Sequence, residues 1–128
     1  MDKEKICNIL TILGNGYCTG EFTPIFEYLD NNCVWESQWV IGAKTGIEAV
    51  KEYYMTKGNL LKEHHSKCSF KIVETNTFRT SLGLVIEQDV DGKNNEVYLE
   101  VKISEEYKIL RIDVCNPAFF NYREYNVK

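Results

Sequence analysis

The chain has 128 residues, of which 44% are hydrophobic and 27% charged, the balance of a folded soluble domain and not of a disordered chain. Fifteen lysines and arginines are scattered among 19 acidic residues for a net charge of −4, which leaves no basic face for a nucleic-acid backbone. The length predicts one domain, residues 1–128, and no apolar run approaches the roughly 18 residues that would read as a membrane span.

The opening run MDKEKICNILTILGN places acidic residues before a short apolar stretch with no small-residue cleavage site after it, unlike a signal peptide. Cys7, Cys18, Cys33, Cys68 and Cys115 are an odd number without close pairs, so reduced thiols in a cytoplasmic protein are expected. No CxxC or HxxxH spacing occurs, and neither a metal nor a cofactor is expected.

In the same run Ile6, Ile9, Leu10 and Leu13 form one helical stripe, with Gly14-Asn15-Gly16 as a stop signal. Thr23-Pro24 reads as the start of a second helix, with Phe26 and Leu29 facing inward and Asp30-Asn31-Asn32 at its end. Residues 33–40 are rich in Val and Trp and read as a strand. Thr45-Gly46-Ile47-Glu48 fits a capping box for a third helix, whose stripe is Ile47, Val50, Tyr54 and Leu61 and which Gly58 ends or bends. Beyond His64-His65 the period changes to alternation, at Cys68-Phe70-Ile72, Leu82-Leu84-Ile86, and Val97-Leu99-Val101-Ile103. Residues 91–95 and 104–108 read as hairpin links, and a final strand runs from about Ile109 to Cys115, closed by Pro117. Residues 117–128 form an aromatic tail. The order predicts an α+β fold, three N-terminal helices packed on one face of a curved, mostly antiparallel mixed sheet.

"FEYLDNNCVWES", then Gly46 opening "GIEAVKEYY", then "ISEEYKILRIDV" resemble the NTF2-like, SnoaL-like superfamily over about residues 3–116. The resemblance implies a cone with a pocket between sheet and helices, and a homodimer through the sheet. It implies no single activity, because this fold hosts isomerases, dehydratases, cyclases and non-enzymatic binders. The position that holds the catalytic aspartate in steroid isomerases of the fold is Ser37 here. Their oxyanion-holding aspartate falls near Leu99. Neither residue supplies a carboxyl group, so that chemistry is disfavoured. The aspartate of the polyketide cyclases falls close to Asp113.

Strand alternation puts Trp35, Ser37 and Trp39 on one face and Glu36 on the other. The first three are read as a pocket wall for a flat apolar ligand, with Tyr54, Phe70, Leu99 and Arg111 as further lining. The bland reading is that the tryptophans only fill the interior, with Glu36 as an ion-pair member. Asp113 with His64 is the one acid–base pair available on pocket strands; the alternative places Arg111 and Asp113 on the outer, dimer-facing side of the sheet. Tyr17 and Tyr53 offer phenol donors, and the tail aromatics Phe119, Phe120, Tyr122 and Tyr125 cover an apolar patch. The leading expectation is a binder of a small apolar or aromatic molecule. The alternatives are a cofactor-free lyase, isomerase or cyclase, and a protein-interaction module.

Overall fold

The computed structural model describes residues 2–64, 67–75, 81–90 and 92–125; His65, Asp91 and the last residues of the tail, 126–128, lie outside them. Helix α1 spans Lys3–Thr19, with the Asp2 carboxylate accepting the Glu4 N–H at 2.9 Å. Its buried side is Cys7, Ile9, Leu10, Leu13 and Tyr17. Gly14 and Gly16 do not stop it. They let aromatic rings lie against the helix, since a Cβ on Gly14 would stand 2.6 Å from the Phe70 ring. The helix ends instead at Gly20, whose φ of 82° is the left-handed cap that glycine adopts most readily.

The expected second helix is six residues of 3₁₀ turn, Thr23–Tyr28. So short a segment gains too few α-helical bonds to offset nucleation. Strand β1 follows at once, Leu29–Ser37. The chain turns at Gln38-Trp39 and returns as the edge strand β2, Val40–Thr45, antiparallel to β1. The single strand expected over residues 33–40 is therefore a hairpin. Helix α2, Ile47–Glu63, starts on Gly46 without a side-chain cap; Thr45 belongs to β2, so the capping box does not form. Gly58 lies within the helix and is the point where α2 meets Gly20 at the end of α1.

Strands β3 (Lys67–Thr75), β4 (Leu82–Val90), β5 (Lys93–Ile103) and β6 (Ile109–Cys115) follow, then a 3₁₀ turn at Pro117–Phe119 and β7 (Tyr122–Glu124). The sheet order is β2-β1-β6-β5-β4-β3-β7. Among the described residues only β1 and β6 pair in parallel, and their register shifts between Leu29 and Val34. Further shifts, at Trp35/Ser37 and Lys102/Ile103, add bends of the kind that curve a sheet.

Both α-helices pack on one face, the inner face. Trp35, Leu84, Leu99, Val101 and Ile112 join Leu10, Leu13, Val50 and Tyr54 there in one core. On the outer face Val73, Val85 and Tyr98 form a second, smaller core beneath Phe120 and Tyr122, so the tail folds over its own chain.

The expectation of reduced thiols is corrected as well. Cys18, near the end of α1, and Cys68, at the start of β3, are joined in a disulfide, with their Cα atoms 5.1 Å apart. Cys7, Cys33 and Cys115 take no part in a disulfide. The pair escaped notice because it is 50 residues apart in sequence and meets only when α1 lies across β3. The support that free thiols lent to a cytoplasmic location is thereby removed.

Candidate functional site

Trp35 and Ser37 point to the inner face, 2% and 8% exposed respectively. Trp39 does not continue their row. The hairpin carries it into the turn, where it is 55% exposed beside Val40 and Ile41. Ser37 is engaged in that same turn: its Oγ accepts the Trp39 N–H at 3.2 Å. The expected Trp-Ser-Trp wall thus reduces to one indole.

Around that indole a polar cluster is buried among rings. The Tyr17 and Tyr54 hydroxyls, from α1 and α2, share a hydrogen bond of 3.0 Å. The Trp35 N–H lies near enough to Tyr17 to favour its phenolate slightly, yet it completes no hydrogen bond of good geometry. Leaving such a donor buried and unmatched costs roughly 1–3 kcal/mol. Tyr53, one residue before Tyr54, is half-buried and stacks on the Trp35 ring with centroids 3.9 Å apart. Phe22 closes the cluster at 5.1 Å from Tyr17 and 4.5 Å from Tyr54. Lys57, one turn beyond Tyr53 on α2, holds its ammonium 5.4 Å from the Tyr17 ring centroid.

Burial sets the protonation states here. It pushes the Tyr17 phenol up to about 12 against the weaker pull of its Tyr54 and Trp35 neighbours. Tyr54 rises further, by burial first and by the nearby Tyr17 second, and Tyr53 also rises chiefly by burial. The three phenols therefore stay neutral and keep their hydroxyl protons; they are not bases at ordinary pH. Burial lowers Lys57, the opposite direction because its charged form carries the proton.

The residues expected to do acid–base work stand elsewhere. Asp113 faces the outer side, level with Glu36 on β1 and Glu100 on β5. Arg111 Nε donates to both Asp113 carboxylate oxygens at 3.0 and 3.1 Å, and its Nη2 donates to Glu36. Asp113 first, through hydrogen bond and charge, and Glu36 after it hold the Arg111 guanidinium above its ordinary range, against burial. His64 is exposed at the C-terminal cap of α2, on the helix side of the sheet. Asp113 and His64 are therefore not brought together, and Arg111 lines no inner pocket. Strand parity is the reason: Ile112 and Val114 take the inner positions of β6.

Of the other expected lining residues, Tyr54 and Leu99 are 0% exposed, so no water-sized space touches either of them. Phe70 is half-buried against Gly14. On the outer face two open depressions flank Tyr122, one of about 600 Å³ bordered by Glu96, Asn116 and Phe120, the other of about 370 Å³ bordered by Glu74, Thr75 and Arg123. No group of three metal-binding side chains occurs among the described residues. Phe22 and Lys57 are the cluster members that sequence reasoning missed; for Lys57 a signal existed. Its i+4 spacing from Tyr53 is the signal that would have found it.

Fold and cluster together define an α+β cone with an aromatic, phenol-bearing interior. No family model and no curated protein matches the chain. Solved structures do. An NTF2-like protein from Anabaena variabilis ATCC 29413 aligns at 16% identity with a TM-score of 0.62, over 93% of this chain and 88% of its own. A steroid delta-isomerase from Pseudomonas aeruginosa aligns at 10% identity and TM-score 0.67, over 90% and 80%. A de novo designed protein with a curved β-sheet aligns at 18% identity and TM-score 0.67, over 93% and 91%. The chain therefore has the NTF2-like fold. Identities this low show the fold alone, and a designed protein among the matches underlines that the shape specifies no chemistry.

Proposed function

We propose that the chain binds a small, flat, largely apolar molecule between Trp35 and α2. The observation that carries this reading is the Trp35 N–H, buried and unmatched beside a pair of neutral phenols. A donor cluster of this kind is satisfied by a ligand oxygen, whose hydrogen bonds would offset the cost of leaving the indole alone. Tyr53 occupies the indole face as a flat ligand would. It is half-buried, unlike Tyr54, and its swing away from Trp35 opens the seat. The inner positions of the neighbouring strands in the core, Leu84, Leu99, Val101, Ile112 and Val114, are aliphatic, which suits recognition better than proton transfer.

The proposal is tested in the Trp39→Phe protein, where Trp35 is the sole reporter. Titration with a panel of flat aromatic alcohols, ketones and acids is expected to quench its fluorescence saturably for at least one class. Tyr17→Phe is expected to weaken that ligand about fivefold, the worth of one hydrogen bond near 1 kcal/mol. No saturable change for any class contradicts the proposal. Homodimerisation through the sheet belongs to the same proposal in a restricted form. The tail covers the β3–β4 side of the outer face, leaving the charged Glu36-Arg111-Asp113 side for a second copy, and sedimentation at raised salt tests it.

A further inference from the structure

Five lysines and arginines among the described residues meet an oxygen, whereas Lys57, like Lys3, Lys5 and Lys51, meets a ring face; what sets Lys57 apart is that its ring, Tyr17, belongs to the buried cluster. Lys62 meets Glu21 at 3.1 Å, Lys71 meets Glu87 at 3.9 Å, Arg111 meets Glu36 and Asp113, Arg123 meets Glu74, and Lys108 donates to the Glu27 carbonyl. Lys57 is half-buried, and among the described residues no carboxylate pairs with it. What it meets is the face of Tyr17, at 5.4 Å from the centroid. A ring face attracts a desolvated ammonium more weakly than an anion would.

Two unsatisfied groups thus border one aromatic cluster, a cation at Lys57 and an N–H donor at Trp35. Both are complemented by a single kind of partner. We propose that the ligand is an apolar or aromatic carboxylate, its charged end held by Lys57 and its flat body laid on Trp35 in the place of Tyr53. The inference rests on the binding reading above and names the ligand class of that same site. Burial, the one influence resolved on Lys57, lowers its proton affinity, and an incoming carboxylate would restore it.

The competing arrangement is a lysine that lays its methylene stem over the cluster and keeps its ammonium in water, with no ligand role. Matched probes separate the two. In the Trp39→Phe background, 2-naphthoate and 2-naphthamide are titrated against Trp35 fluorescence, and decanoate and decanamide are tested by isothermal calorimetry. The acid of each pair is expected to bind at least tenfold more tightly than its amide. Lys57→Gln is expected to bring the two within about twofold of each other by weakening the acid alone. Lys62→Gln, on the same helix but exposed, is expected to leave the preference intact, and circular dichroism checks that each variant is folded. Equal binding of acid and amide to the unaltered site overturns the carboxylate inference and leaves the binding reading standing. An acid preference that survives Lys57→Gln removes Lys57 from the role. Failure of all four probes to bind overturns the carboxylate inference, and the binding reading is then decided by the wider panel of alcohols and ketones.

Discussion

Trp35 shows how one residue can be placed correctly by alternation while its neighbours are not. Its parity with Ser37 follows from the two-residue period, and both are inside. Trp39 shares that parity in sequence but lies past the point where the chain reverses. Gln38-Trp39 carries none of the Asn-Gly or Asp-Gly signals that announce a hairpin, so the turn was not legible. Glu36 was legible as an ion-pair member, and Arg111 is its partner. At the Tyr17–Tyr54 contact, Tyr17→Phe leaves the Tyr54 hydroxyl buried without its partner. It is expected to lower stability by about 1–2 kcal/mol in urea melts. An unchanged midpoint would show the bond to be energetically idle. The same phenol sets an alkaline limit. Unfolded tyrosine ionises near 10, whereas Tyr17 holds its proton to about 12, so the unfolded state alone gains from deprotonation between these values. Stability is fully present below pH 10 and is expected to fall by up to about 3 kcal/mol for this group as pH rises to 12. Tyr98, likewise pushed up to about 12, acts in the same window. Denaturant midpoints that stay level from pH 10 to 12 would contradict this.

Among the elements, the long alternating strands were the most readable. The strand expected to be last was placed at Ile109–Cys115, where β6 lies, although the short β7 follows it. Helix ends and short elements were not readable, because their limits depend on tertiary contacts. Gly14 and Gly16 look like terminators in one dimension, but α1 passes through them because Phe70 and Phe22 need the room. Gly14→Ala is therefore expected to destabilise the fold although alanine is the better helix former, since its methyl group would overlap the Phe70 ring. A rise in melting temperature would show the helix term to dominate. The Cys18–Cys68 bridge ties α1 to β3 across 50 residues. Loop-closure entropy for that span corresponds to about 4 kcal/mol, so Cys18→Ser or added reductant is expected to lower the unfolding free energy by up to that amount. Equal denaturation curves with and without reductant would show the bridge to be absent or without effect.

For the whole molecule, the order of helices and strands led to the NTF2-like fold because that order constrains topology far more than any single residue does. The site was less legible. It depends on which face each strand turns inward, and Ile112 and Val114 claim the inner positions that an inward Asp113 would have needed. The result is a cone with its charges outside and a phenol–indole cluster within. Recognition of a flat ligand is the activity proposed for that interior. The most direct test is the pair of tryptophan indole N–H signals in a ¹H–¹⁵N spectrum. Trp35 is buried and Trp39 exposed, so exchange with water distinguishes them. Addition of 2-naphthoate is predicted to shift the Trp35 signal saturably and to leave Trp39 in place. A shift confined to Trp39, or none at all, would contradict binding inside the cone.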